Sequence, residues 1–304
     1  MKALKTIAVF GATGAQGGSV LRTLVNTGEY QIRAITRNAN SEKAKQLASL
    51  KNVTVQQADL NDPTSVEKAI DSCYGIFLVT DFWADPTARV ETQQGINLID
   101  SAIRQNVAHV VFSGLENAGS VVGKSVDHFD GKEKVEQHGM KARDKIKFTS
   151  IRMPLYYQIL PTMFLKHVKP ETYELILPMS DKPVYCMNVE DYGECVKVAF
   201  EKPDEYKSRI VGLAADYLTP NEIVAALNKN LQPNRFSYAN LSCATYGTFG
   251  FPGAIELAHM FEYYQLGEMK RDINLTKQLN PNAMSFNDWV ARNKQNILEN
   301  LPQN

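Results

Sequence analysis

His128 and Lys132 stand four residues apart in VDHFDGKEKVE (126–136), whose charge pattern is that of an exposed helix. On a helix this spacing puts both side chains on one face. A lysine so placed can donate hydrogen bonds to a bound ligand or act as a base. A histidine, with an ordinary pKa of about 6.5, can exchange a proton near neutral pH. Reductases that use Tyr-x-x-x-Lys place a phenol at the first position, where the lysine lowers its ordinary pKa of about 10. Here His128 takes that position and the phenol is absent. Ser113, at the end of VVFS, lies where an assisting hydroxyl belongs; without its tyrosine it is expected to hydrogen-bond locally. Two readings follow. In one, Lys132 is a ligand-holding donor, and His128 is a helix-start residue beside a capping Asp127. In the other, Lys132 or His128 transfers a proton.

Other reactive side chains carry less. Cys73 and Cys186 have no activating partner in the sequence, and Asp59 and Asp62 fall in a turn. The four cysteines (Cys73, Cys186, Cys195, Cys243) form no Cys-x-x-Cys pair, and no histidine cluster accompanies them. No metal site or disulfide framework is expected, and a reducing compartment is the default.

The elements that must position Lys132 begin with GATGAQGG, Gly11 to Gly18, between an apolar strand and an amphipathic helix. Gly11 suits a tight turn, Gly14 lets a pyrophosphate approach the backbone, and Gly17 or Gly18 lets the helix pack on the sheet. The pyrophosphate then sits at the helix N-terminus, where amides and dipole favour negative charge. Thr13, Ala15 and Gln16 complete that turn. About 20 residues on, where an NAD-binding protein carries an acid for the ribose 2′-hydroxyl, this chain reads ITRN, with Arg37 and then Asn38. A guanidinium attracts a 2′-phosphate, so NADP is the expected cofactor. Asp59 and Leu60 end the third strand, where the adenine is held in such folds; Thr80, Asp81 and Phe82 end the fourth, along the pyrophosphate and ribose.

KTIAVFGATG, YQIRAITR, NVTVQQADL, GIFLVT, HVVFSGL and KFTSIRMP read as six strands alternating with helical segments such as SVLRTLVNTG and a long helix from about Thr87 to Gln105. Strands buried on both faces and joined by helices predict an α/β fold, a doubly wound Rossmann-type parallel sheet. Prolines at 154, 161, 170, 178 and 183 then break the regular alternation. A cofactor domain over 1–155 and a smaller α/β C-terminal lobe over 156–304 are expected, with some elements of the lobe returning to the first domain. The tail SFNDWVARNKQNIL reads as one amphipathic helix opened by Ser285.

Among the 304 residues, 33 Lys and Arg balance 33 Asp and Glu. That balance gives no electrostatic support to a direct nucleic-acid or anionic-membrane binder. No apolar run approaches the about 18 residues of a membrane helix, and the N-terminal stretch reads as a first strand instead of a signal peptide.

VFGATGAQGGSV, VTDFW, VFSGLEN, HFDGKEKVE, SIRMPLYYQ, GFPGAIELAHMF and NPNAMSFNDWV together resemble the NmrA-like family of atypical short-chain dehydrogenase/reductases. Within it the chain looks most similar to the HSCARG-type NADPH sensors. The resemblance spans nearly the full length. It implies NADP bound by Gly11 to Gly17, Arg37, Asp59, Thr80 and Lys132, with Lys132 at the nicotinamide ribose and further contacts from Tyr156 and Tyr157. It also implies a redox-sensing regulator of the cytoplasm, with the nucleus open to it, acting through protein partners or a second copy of itself. The alternative is an NADPH-dependent reductase of quinones or small carbonyl compounds using Lys132 or His128. Two departures remove positive charge from the expected phosphate side: Gln93 in ETQQG, where the sensors carry lysine, and the less basic RNANSEK after the arginine.

Overall fold

A computed structural model describes residues 3–303. The chain folds as two compact units. Of the described residues, the first comprises 3–117, 127–153 and 190–211; the second comprises 118–126, 154–189 and 212–303. Residues 190–211, downstream of the boundary expected near 155, therefore fold with the first unit.

Along the chain run β1 (Lys5–Val9), α1 (Ala15–Thr27), β2 (Tyr30–Thr36), α2 (Glu42–Ala48), β3 (Val53–Gln57), α3 (Pro63–Ile70), β4 (Gly75–Leu78), α4 (Ala88–Arg104) and β5 (His109–Phe112). After α5 (Ala118–Val122), part of the second unit, come α6 (Asp127–Lys141) and β6 (Lys147–Arg152). The first unit's sheet has seven strands in the order Ile210–Gly212, β6, β5, β4, β1, β2, β3, and the pairs among β1–β6 are parallel. Strand order reverses between β1 and β4, the switch point at whose carboxyl ends ligands bind in open α/β sheets.

Local chemistry sets the helix boundaries. Ser41 caps α2 by accepting from the Ala44 amide, and Asp62 caps α3 by accepting from Thr64, with Pro63 in the first turn. Gly28 ends α1 in the left-handed conformation at φ 68°. β4 and β5 are buried along their whole length, as expected of central strands covered on both faces. One face is covered by α3, α4 and α6, whose Val66, Leu98, Ile99 and Val135 join Phe112 and Phe148 of the sheet in a single core. Gly95 lets α4 and α6 close on one another: a Cβ there would lie 2.4 Å from a Val135 methyl. On the other face, the helix Tyr192–Glu201 lies beside α1. Ser19 Oγ accepts from the Gly193 amide and donates to the Glu190 carbonyl, each at 2.9 Å.

The second unit contains two three-stranded sheets. One orders Asp216–Leu218, Val184–Met187 and Leu155–Tyr156; the other orders Arg235–Tyr238, Thr172–Leu175 and Leu165–Lys169. Its helix Pro220–Asn230 opens with a reciprocal capping box between Thr219 and Glu222. The tail expected as one helix is two, Phe286–Arg292 and Lys294–Glu299. Asn293 divides them: its backbone leaves the helical region at φ −103° and ψ 15°, and its side chain donates to the Trp289 carbonyl at 2.8 Å.

Candidate functional site

The carboxyl ends of β1 and β4 define the site in the first unit. Gly11 has φ 66°, and its carbonyl accepts from the Gly14 amide at 2.9 Å, closing the turn. Gly17 is the packing glycine, since a Cβ there would sit 2.2 Å from the Gly11 carbonyl oxygen. Gly11, Gly14 and Ala15 are exposed, with Thr13 and Gln16 half-buried. Gly14 supplies no side-chain cap to α1, and the first turn contains no acid. A glycine-lined backbone and an uncapped helix start fit a dinucleotide pyrophosphate.

Arg37 and Asn38 emerge exposed from β2. Arg37 Nη2 lies 3.1 Å from Asp81 Oδ2, in an ion pair whose members are both more than half exposed. Such pairs contribute about 0–1 kcal/mol, so a dianionic phosphate competes readily for the guanidinium. The Asn38 side chain is used locally, accepting from the Asn40 amide at 2.9 Å. Asp59 is exposed beyond β3 and accepts from the Asn61 amide at 2.9 Å. The Leu60 carbonyl accepts from Asn97 of α4, and Gln93 is spent on that same Asn97.

Thr80 is buried behind Asp81, and it meets Lys132. Lys132 Nζ donates to the Thr80 hydroxyl at 2.8 Å and to the Thr80 carbonyl at 3.1 Å. Its third acceptor is Oε1 of Glu91 in α4, which also accepts from the Thr80 hydroxyl at 2.7 Å. Glu91 is 1 % exposed and Lys132 9 %. An ammonium has three protons, and here each has an acceptor within the protein. Glu91 Oε2 has no hydrogen-bond partner and lies against Gly131, where a Cβ would come within 2.9 Å.

Glu91 escaped the reading of the sequence, although a signal for it exists. It shares the inner stripe of α4 with Gly95, Leu98, Ile99 and Ala102, all buried, and an acid on an apolar stripe needs a partner. Lys132 lies 41 residues away in sequence, and only the fold pairs them.

His128 sits one turn before Lys132 in an aromatic setting. Its ring centroid is 5.8 Å from Phe82, 5.5 Å from Trp83 and 4.8 Å from Phe129. Phe82 is buried in that cluster and Trp83 is half exposed. Ser113 is buried at the end of β5, its amide on the Leu78 carbonyl at 2.9 Å. A second buried charge cluster ties α6 to β6: the Arg152 guanidinium and the Ser150 hydroxyl both donate to Glu136, and Glu116 lies 3.5 Å from Arg152. Gly114 makes room for it, since a Cβ there would fall 2.6 Å from Glu136 Oε2. In the second unit, Tyr156 ends its strand half-buried. Tyr157 is fully buried, donating to Asp216 Oδ2 at 2.5 Å and packing on Phe286 and Trp289.

Among the described residues no group of three His, Cys, Asp or Glu is arranged to hold a metal ion, and no helix is long and apolar enough to cross a membrane.

The pattern of the NmrA-like family matches residues 3–290. The chain belongs to the NmrA-like family. An NmrA-like family domain-containing protein of Dictyostelium discoideum is 27% identical over 274 residues, covering 85% of this chain and 88% of its own. An NmrA-like family domain-containing oxidoreductase of Aspergillus hancockii is 28% identical over 279 residues, covering 84% and 82%. Among solved structures, NmrA, a negative transcriptional regulator in complex with NADP, superposes with a TM-score of 0.80 at 21% identity, covering 95% of this chain and 94% of that one. The NADPH-dependent quinone oxidoreductase of Escherichia coli superposes at 0.75 with 24% identity, covering 94% and 99%. These superpositions establish the NmrA-like fold: a parallel Rossmann-type sheet with smaller mixed sheets.

Proposed function

We propose that the protein is an NADP(H)-binding sensor of the HSCARG type, which holds the cofactor and transfers no hydride itself. The observation that carries this reading is the state of Lys132. Its ammonium is paired with a buried carboxylate, and a histidine packed among aromatic rings stands where a catalytic phenol would be. A lysine whose three donors all have acceptors in the protein serves as a fixed charged donor.

Gly11, Thr13, Gly14, Ala15, Gln16 and Gly17 would hold the pyrophosphate, Arg37 with Asn38 the 2′-phosphate, Asp59 and Leu60 the adenine, and Lys132 the nicotinamide ribose. The cofactor, when bound, brings a hydride-carrying ring. The chain's own residues orient it and neutralise its charge. NmrA was solved with NADP and also with NAD, which supports a nicotinamide dinucleotide in this fold. Sensing requires two conformations of unequal affinity for the cofactor, since equal affinity shifts no equilibrium. A protein partner, or a second copy of the chain, would read the difference. The net charge of zero favours such a partner over nucleic acid.

The test is hydrogen exchange and sedimentation of the purified protein with NADPH, with NADP⁺ and without either. The reading expects NADPH and NADP⁺ to give different protection patterns or different assembly states. Identical patterns and identical assembly for the two would overturn it.

The second reading, an NADPH-dependent reductase, is favoured by the oxidoreductases among the fungal relatives and by the quinone oxidoreductase that shares the fold. It assigns proton transfer to Lys132 or His128.

A further inference from the structure

We propose that Glu91 is a positioning residue of the cofactor site: it holds the Lys132 ammonium, in charged form, against Thr80, so that Lys132 meets the cofactor as a fixed donor. The inference rests on the reading of Lys132 as a cofactor contact and adds a residue that neither the glycine turn nor the lysine motif names.

Three observations converge. First, Glu91 Oε1 alone gathers the Lys132 ammonium and the Thr80 hydroxyl, while Thr80 also accepts from Lys132 through its hydroxyl and carbonyl. The three groups form a closed ring of hydrogen bonds at the carboxyl end of β4. Second, the carboxylate is almost wholly buried, and burying a charge is costly unless a partner compensates. Glu91 and Lys132 therefore specify one another. Third, Gly131 precedes the lysine and leaves the space that Oε2 fills. The HFDGK stretch thus supplies both the cation and the room for its counterion.

The charged and titratable groups around Lys132 are otherwise engaged. Asp81, following Thr80 from β4, pairs with Arg37. His128, one turn earlier on α6, packs on Phe82, Trp83 and Phe129. Glu136, one turn later, accepts from Arg152 and Ser150. Glu91, arriving from α4, is the carboxylate that meets the ammonium. When a nicotinamide ribose hydroxyl claims one of the three Lys132 protons, the longest bond, to the Thr80 carbonyl at 3.1 Å, is the one to yield. Glu91 then keeps the ammonium in place.

The experiment is an NADPH fluorescence titration of the full chain at neutral pH. It compares the parent protein with Glu91→Gln, Lys132→Met and the double variant, with melting temperatures measured alongside. Glu91→Gln should bind about tenfold more weakly than the parent, an amount typical of losing a charge-assisted partner. The double variant should bind like Lys132→Met. If Glu91→Gln binds like the parent, or loses the same factor when Lys132 is already Met, the positioning role is overturned. If Lys132→Met itself binds NADPH like the parent, the cofactor contact of Lys132 is what fails. Should Glu91→Gln not fold, Gly131→Ala moves the same carboxylate without altering its charge. A several-fold loss that disappears in the Lys132→Met background supports the role, and no loss overturns it.

Discussion

Glu91 of α4 and Lys132 of α6 form a buried ion pair that also engages Thr80 at the end of β4. The pair joins two helices and one strand end at the place where the sheet reverses its order. Its energetics are asymmetric. Together the charges offset one another's desolvation, whereas either alone is a buried charge without its partner.

Lys132→Met should therefore destabilise the protein by about 3–5 kcal/mol, and Lys132→Met with Glu91→Gln should recover most of that loss. Urea unfolding of the two variants and the parent measures it. Equal stability of the single and double variants would mean that Glu91 is not the partner.

The Arg37–Asp81 pair bears on cofactor choice. Arg37→Ala should weaken NADPH much more than NADH, because only NADPH brings a 2′-phosphate. Asp81→Asn removes a competing carboxylate and should tighten NADPH a few-fold with little change for NADH, most visibly at low salt. Parallel titrations with both cofactors check these outcomes; equal losses for the two in Arg37→Ala would place the guanidinium elsewhere.

His109 supplies an acid-sensitive element in β5. It is fully buried, and burial followed by the nearby Lys147 charge pushes its pKa down from 6.5 to about 4. Thr149 Oγ1 donates to the Tyr206 carbonyl at 2.8 Å, which leaves its lone pair to accept from His109 Nε2 at 2.8 Å. Nδ1 is buried with no hydrogen-bond partner, so the ring is neutral and carries its proton on Nε2. The unfolded chain takes up the proton first as pH falls. The stability that the neutral ring contributes is complete above about pH 6.5 and is lost between there and about pH 4, on the order of 3 kcal/mol. His109→Gln, which keeps a donor for Thr149, should show a shallower loss of melting temperature over that window than the parent; parallel curves would contradict the assignment.

The glycine turn and Lys132 were legible in the sequence because their signals are local. Gly11 and Gly17 stand at fixed offsets between a strand and a helix, and Lys132 follows an eye-catching gap where a tyrosine is expected. Six parallel strands were legible for the same reason, each an apolar run with a helical segment after it. Glu91 was not, because its meaning depends on a residue 41 positions away that only the packing of α4 on α6 brings close. Tyr157 reads as a loop aromatic, yet its hydroxyl is buried on Asp216, 59 positions later. The helix Tyr192–Glu201 reads as part of the C-terminal lobe; its place beside α1 depends on Gly193, where a Cβ would fall 2.5 Å from the Ser19 carbonyl oxygen. Asn293 divides a periodic helix through a backbone turn out of the helical region and a side-chain bond, neither of which hydrophobic spacing can report.

On the proposed function, Lys132 grips the cofactor and does no chemistry with it. NADPH oxidation by the purified protein, followed at saturating NADPH against a panel of quinones and aldehydes, tests it most directly. Tight NADPH binding with no oxidation above the rate without protein is the expected result. Turnover that Lys132→Ala abolishes while NADPH binding is retained would contradict it.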